Sequence, residues 1–465
     1  MKKGLLVILL FMVAAIPLFA QNNEGLKIGD TTWKFNGEIR FMYTDQTSFD
    51  GYFWSMGSNF LEGTDTFNRL YQRYRFGVEG ALSDRISAVF TIQVGDEQWG
   101  NKNYNEREVN LRTLYAYLQF RPEFLGDDTT FRVGLQGYDD IFQYSIFSDE
   151  AIGIIVNHSN DVMNANIGYL SLRDDDVNAD FDDEGLLPCS ETLFLADMSY
   201  KANDKLTVKG AFYYDYLRDI YVGYIAPWNG SARYGRAFYG AGADYLLNEN
   251  VSFGGHFVAS SGTLTLFDNE SDPPNEFEYA MKGWFGYAYA TYSMDKFSAK
   301  VNFGYTPYNS EEDSKTYWTG AFILPDLDPA LVTIPRVFTG DQWQTAYGLE
   351  YYGRGDVCDR QAVNGGYGGM YGLMVISANI SYDFAFANFG IMRATDSTDY
   401  PDGFPVIDKS IGTELDLGVK AEIMKGFEVK AVYAMFFTGD FWKYGNEATT
   451  LENAHEMSML LRYTF

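Results

Sequence analysis

The chain has 465 residues, 63 acidic against 35 basic, for a formal charge of −28. That balance excludes nucleic acid and anionic surfaces as partners gathered by bulk charge. Two Cys and three His are too few for a disulfide scaffold or a histidine-based catalytic centre to organise the molecule. The first twenty residues, "MKKGLLVILLFMVAAIPLFA", carry two lysines, an apolar run from Leu5 to Phe19 and Ala20 before a polar stretch. The run falls short of the roughly 20 residues of a spanning helix, and no Cys near the cut could carry a lipid. Residues 1–20 therefore read as a secretory signal peptide rather than an anchor, leaving 21–465 as the mature chain.

The full sequence is 17% aromatic, with 36 Tyr, 37 Phe and 46 Gly, and beyond the signal it contains no apolar run of 18 residues. An exported chain of this kind without spanning helices points to a transmembrane antiparallel β-barrel. Period-2 alternation supports it from the start. From Trp33, the residues Trp33, Phe35, Ile39, Phe41 and Tyr43 share one face, and Lys34, Asn36, Glu38, Arg40 and Thr44 the other. The next strand, "NRLYQRYRFGVEG", sets Arg69, Arg73 and Arg75 against Leu70, Tyr74, Phe76 and Val78.

The rhythm then repeats as strand, tight turn, strand, long loop. Turn formers stand at "SD" from 83, "SND" from 159, "NDK" from 203, "NEN" from 248 and "MDK" from 294. Long Asp-, Gly-, Asn- and Pro-rich segments lie between them, which is the asymmetry of short periplasmic turns and long extracellular loops. All twelve prolines fall in the signal, turns, loops or strand ends, where a residue without an N–H does no harm to a ladder. The pattern predicts eighteen strands starting near residues 32, 67, 86, 109, 129, 151, 162, 191, 205, 233, 250, 278, 296, 370, 386, 412, 427 and 453, with sixteen as the alternative. Residues 308–369 read as one extracellular excursion, and the whole of 21–465 as a single domain. The last strand, "HEMSMLLRYTF", alternates Met457, Met459, Leu461, Tyr463 and Phe465 with Glu456, Ser458, Leu460, Arg462 and Thr464. Its terminal Phe465, with Tyr463 two before it, resembles the assembly signal that ends bacterial outer-membrane barrels.

Ionised arginine facing hydrocarbon costs about 2–4 kcal/mol near the midplane. Energy as well as pattern therefore turns Arg40, Arg69, Arg73, Arg75 and Arg132 inward as channel-lining cations. Arg236 with Asp244, and Lys420 with Glu414, join the same face. After the fifth strand, "GYDDIFQYSIFSDE" mixes Asp139, Asp140, Asp149 and Glu150 with Ile141, Phe142, Tyr144, Ile146 and Phe147. A loop folded into the lumen would pack those apolar side chains on the wall and aim its acids at the arginines. The resulting transverse field would screen solutes by size and charge. Structural pairing along the wall is the competing account of the same arginines.

The stretch "RLYQRYRFGVEGALSDRISAVFTIQVGDEQWGN", then "LYAYLQF" and "FRVGLQGYDDIFQYSIFSDEAIGI", resembles the outer-membrane homotrimeric porin family over residues 30–170, with the final strand. The resemblance implies a trimeric, water-filled channel for passive diffusion of small hydrophilic solutes, set among outer-membrane lipid and lipopolysaccharide. The excursion at 308–369 and the acidic outer loops depart from that pattern.

Other candidates weigh less. His158 and His455 fall on outward faces near strand ends. His256 faces inward with Ser252 and Ser260, too weak a match to a nucleophile and base to imply an enzyme. The acidic run at 174–184 lacks the Gly and Glu that a calcium loop needs, having Ala179 and Gly185 at those places. Loose divalent-cation binding, bridging to lipopolysaccharide, and plain solvation both remain open for it. Cys189 and Cys358 lie in predicted outer loops of an oxidising compartment, and a bridge between them stands beside two free thiols. The sequence calls for no metal and no cofactor.

Overall fold

The computed structural model describes residues 25–47, 66–99, 111–142, 148–175, 189–222, 230–268, 275–307, 373–395, 408–440 and 453–465. The strands are β1 Leu26–Ile28, β2 Thr31–Thr47, β3 Thr66–Ser83, β4 Ile86–Trp99, β5 Leu111–Phe120, β6 Thr129–Asp139, β7 Ser148–Ser159, β8 Met163–Asp175 and β9 Cys189–Asn203. They continue as β10 Leu206–Val222, β11 Gly230–Asn248, β12 Val251–Asp268, β13 Asn275–Met294 and β14 Phe297–Thr306. The ring is completed by β15 Leu373–Tyr382, β16 Ala385–Arg393, β17 Ser410–Met424, β18 Phe427–Thr438 and β19 Ala454–Thr464. From β2 onward every strand pairs antiparallel with the next, and β19 closes on β2 along His455–Thr464. Eighteen strands therefore form a closed barrel, as the alternation predicts, and no edge is left for lipid to meet.

The tight turns sit where the turn formers stand. Two of them use an aspartate at positive φ, Asp295 at 50° and Asp383 at 54°, a conformation that Asp and Asn tolerate better than most residues. β14 pairs directly with β15, so the excursion joins neighbouring strands of the ring, and a sixteen-strand count is set aside. The excursion itself, like the predicted signal peptide, lies outside the described residues.

One strand was not foreseen. β1 pairs with β2 at Thr31–Trp33 and stands outside the ring. It covers the periplasmic stretch of β2 that β19, ending at Phe465 opposite Gly37, does not reach. Three residues are too few to show a period.

Burial separates the two faces of each strand. On β7, Ile152 and Ile154 are 60% and 47% exposed while Ile155 is 0% exposed. Phe90, Ile167, Phe194, Phe257, Val301 and Leu417 form the same outward apolar belt on other strands. The strands differ in length: β10 to β13 have 17, 19, 18 and 20 residues, but β14, β15 and β16 only 10, 10 and 9.

Candidate pore wall

Closure of β19 on β2 brings charged residues from five strands onto one stretch of the inner wall. Register places Glu428 opposite Arg462, Arg462 opposite Arg40, and Arg40 opposite Arg73, so three arginines stand side by side on β19, β2 and β3. Like charges directly opposite are destabilising, and acids one pleat away offset part of that repulsion. Glu38 accepts from Arg73 Nε at 2.9 Å and Nη2 at 2.6 Å, and it feels the charges of Arg40 and Arg75 as well. Glu428 takes Arg462 at 3.1 Å and Lys420 at 3.2 Å. Arg75 donates Nε to Gln93 Oε1 at 2.7 Å. Arg132 pairs with the Tyr117 hydroxyl, within reach of the Glu79 charge. Of the predicted basic residues, Arg40, Arg73, Arg75 and Arg132 share the lumen side of one wall. Arg69 lies in β3 opposite Thr44, with its side chain outside the described residues.

Three of the four predicted acids need correction. The ladder between β6 and β7 continues up to Asp139 opposite Ser148, so Asp139, Asp149 and Glu150 belong to strands rather than to a lumen-crossing loop. Gly137 and Tyr138 keep the strand running further than the turn-like "GYDD" suggests. Asp139 is exposed, and the Asp149 side chain lies outside the described residues. Glu150 and Arg75 both act electrostatically on Tyr115, which stands between them. Asp140 alone sits on the inward reversal; it is buried and takes the Phe142 N–H on Oδ1.

The other inward charges find partners on neighbouring strands, because register sets ion pairs and sequence distance does not. Asp244 bonds Lys209 at 2.7 Å and the Tyr289 hydroxyl at 2.8 Å rather than Arg236. Arg236 donates to Ser260 Oγ at 2.9 Å, and Lys420 pairs with Glu428 rather than Glu414. His256 faces inward as expected, but among rings rather than serines: Phe142, Phe285 and Tyr287 lie 5.3, 5.8 and 5.1 Å away. His158 and His455 bond Thr129 and Tyr433 at 3.0 and 3.1 Å. Cys189 begins β9, and its side chain lies outside the described residues, as do Cys358 and residues 176–184 of the acidic run. Among the described residues no group of three or more His, Cys, Asp or Glu could hold a metal ion.

Two polar assemblies were not singled out in the sequence. Around β13 to β17, Tyr287 donates to Asn302 at 2.6 Å, Asn302 to Asn379 at 3.2 Å, Asn379 to Asn388 at 2.9 Å and Asn388 to Asp416 at 3.2 Å. Inward parity was their signal, one amide per strand at matching height. On β6, β8, β9 and β10, both Tyr138 and Tyr213 donate to Asp197 Oδ2, the latter at 2.6 Å, and Asn166 donates to Oδ1 at 2.9 Å. Replacing Asp197 by Ala removes the acceptor that three buried donors share, and each lost bond is costly. We expect a loss of about 3 kcal/mol, read as a lower thermal unfolding midpoint in detergent. An unchanged midpoint would count against this account of the cluster.

A closed ring of eighteen antiparallel strands, apolar toward lipid and charged toward its axis, is an outer-membrane β-barrel of the porin type. The chain accordingly belongs in the outer membrane of a Gram-negative-type bacterium. No protein-family model matches the chain, and no curated protein matches it in sequence. Solved structures match its fold. The outer membrane protein OprD from Pseudomonas aeruginosa superposes with a TM-score of 0.51 at 12% identity, over 96% of this chain and 96% of that chain. Pseudomonas aeruginosa OccK8 (OprE) gives 0.50 at 12%, over 93% and 98%, and Acinetobacter baumannii OccAB4 gives 0.50 at 11%, also over 93% and 98%. At these identities the likeness is one of fold, and it extends well beyond the part of the sequence that resembles porins.

Proposed function

We propose that the barrel is a passive diffusion channel for small hydrophilic solutes and ions, with the arginine row of β19, β2 and β3 biasing passage toward anions. The row itself carries the reading. Arg462, Arg40 and Arg73 stand in register as like charges, an arrangement that costs stability and that wall-to-wall pairing alone would replace with alternating signs. It runs against the −28 of the chain as a whole, so local charge and not bulk charge would set selectivity. The same row favours a second reading, a channel selective for acidic solutes in which successive guanidiniums hand a carboxylate along the wall.

A planar-bilayer recording under a salt gradient tests both. Open single-channel events with a reversal potential on the anion side support the proposal, and absence of any conductance overturns it. Current that saturates and is blocked by a dicarboxylate at millimolar concentration favours the selective channel, whereas linear current favours general diffusion. We further propose a homotrimer, supported by the sequence resemblance at 30–170, with lipid and lipopolysaccharide around the outward belt. Crosslinking in native membranes should yield a three-chain product, and a purely single-chain product would oppose it.

A further inference from the structure

β1 and β19 share one edge of β2. β1 pairs with Thr31–Trp33 and β19 with Glu38–Thr47, and Phe465 adds its two backbone bonds at Gly37. Only Lys34, Phe35 and Asn36 separate the two along that edge. β1 owes little to burial, since all three of its residues are exposed, Ile28 at 61%. What it has is a fixed extent. Gly25 and Gly29, at φ 75° and 62°, bend the chain into and out of it, in the left-handed region that glycine enters without strain. A Cβ on Gly25 would lie 2.8 Å from the Trp33 carbonyl oxygen, so the chain enters β1 pressed against β2.

The seam needs a stop. A slip of one residue exchanges faces, but a slip of two keeps every face and escapes the hydrophobic check. With β19 moved two residues down β2, all ten of its paired residues still find partners. Arg462 then leaves Arg40 and stands opposite Glu38, while Leu460 takes its place opposite Arg40. Opposite charges replace like charges directly across the seam, so charge favours the slipped register. Glu428 keeps Arg462 in both registers, because the β18–β19 pairing is untouched. The seat of the Phe465 ring on Gly37 opposes the slip. So does β1: Phe465 would come opposite Phe35, leaving Lys34 as the only residue of the edge through which the chain could enter at Gly25.

We infer that β1 is a register stop for barrel closure, holding β19 where Arg462, Arg40 and Arg73 stand side by side. A hairpin of neighbouring residues forms in about 1–10 μs, long before strands some four hundred positions apart meet. The stop is therefore in place when β19 arrives. Its effect on register is independent of transport, and its effect on selectivity rests on the channel reading above.

Disulfide trapping tests it on the full chain in native membranes, in a Cys189→Ser, Cys358→Ser background. Met42→Cys with Leu460→Cys reports the native register, and Met42→Cys with Ser458→Cys the slipped one. Leu26→Pro with Ile28→Pro breaks β1, since proline donates nothing to a ladder. Leu26→Thr with Ile28→Thr keeps the strand and changes only its side chains. With β1 native or threonine-substituted, the native-register bridge should dominate. Breaking β1 should raise the slipped-register bridge roughly tenfold, and adding Arg462→Gln should lower it again by removing the charge that gains from the slip. A slipped-register yield that the prolines leave unchanged overturns the inference, as does an equal rise with the threonines. Where the paired prolines leave too little assembled barrel to score, Ile28→Pro alone is scored in the same way. Loss of assembly there too, with no slipped bridge, also overturns it, because a failed stop yields misregistered barrels rather than none. In a planar bilayer the broken chain should lose anion preference in step with its slipped fraction. A native protein that conducts nothing would overturn the channel reading and leave the register result standing.

Discussion

Replacing Arg40, Arg73 and Arg75 together by glutamine should turn the pore toward cations by roughly tenfold in permeability ratio, the largest functional change open to a wall substitution. A unit charge about 7 Å from a permeating ion is worth about 0.6 kcal/mol in water. Screening over a Debye length of about 10 Å at 0.1 M salt reduces this. Three removed charges are then worth about 0.9 kcal/mol, of opposite sign for cation and anion, so the ratio of the two shifts by more than the roughly 1.4 kcal/mol that makes a factor of ten. The acids left behind act in the same direction, since Glu38 would lose its 2.6 Å partner Arg73 and the nearby charges of Arg40 and Arg75. Glu38→Gln alone should move the reversal potential the other way by less. Exchanging the pair, Arg73→Glu with Glu38→Arg, keeps the net charge and should keep the selectivity. A reversal potential unmoved in the triple variant would mean that these arginines do not line the narrow part. The experiment is best run at low salt, where screening conceals least.

The largest effect on assembly is expected at the seam. Phe465 and Gly37 exchange two backbone hydrogen bonds, at 3.1 and 3.2 Å, and the Phe465 ring covers the missing side chain of Gly37. Deleting Phe465 removes both bonds and the ring from the one junction that makes the barrel closed. A backbone bond is worth about 1 kcal/mol net in water and several where lipid offers no substitute. Folded, heat-modifiable barrel in the membrane should fall at least tenfold. A second substitution separates packing from recognition of the chain end by assembly machinery. Gly37→Leu leaves Phe465 intact but drives a side chain into its ring, an overpacking that costs about 1–3 kcal/mol. If packing closes the seam, Gly37→Leu also refolds poorly from urea into detergent, where no machinery is present. Normal refolding of Gly37→Leu, together with failed assembly of the deletion in cells, would instead assign Phe465 to recognition.

Much of the barrel was legible because its two solvents impose one period. Lipid on one side and water on the other force alternate residues apart, so strand starts such as Ile86, Thr129 and Phe427 coincide with the expected ones. Where prediction and structure differ, the alternation is weak. β7 begins at Ser148, three residues earlier than expected, because "SDEA" shows no apolar period although its backbone remains paired to β6. Inward parity located Arg40, Arg73, Arg75 and Arg132, but register was invisible. Nothing in the order of residues says that Arg462 meets Arg40, some four hundred positions away, or that Asp244 finds Lys209. A one-residue slip would exchange every face, so such pairings follow only once closure fixes the register. Met42 marks the limit of parity reasoning. It is apolar, yet it sits on the inward side of β2 and is 2% exposed, because a lumen wall admits apolar side chains wherever something covers them.

The unequal strands carry a consequence for how the protein meets the world outside the cell. A strand of about 9–11 residues suffices to cross the hydrocarbon, which β14 to β16 just satisfy. The short turns joining β10 through β16 lie at a common level, so the additional length of β10 to β13 rises wholly at the opposite end. Seven or more surplus residues at about 3.4 Å each, on strands tilted by about 40°, raise a parapet on the order of 18 Å tall there, and β2 and β3, with 17 and 18 residues, raise another across the ring. An antibody, phage or protease approaching that flank would touch hydrogen-bonded sheet, which yields slowly to cleavage. Epitopes, receptor footprints and protease nicks should therefore sort by direction of approach, with the long-stranded flanks the most resistant to cleavage.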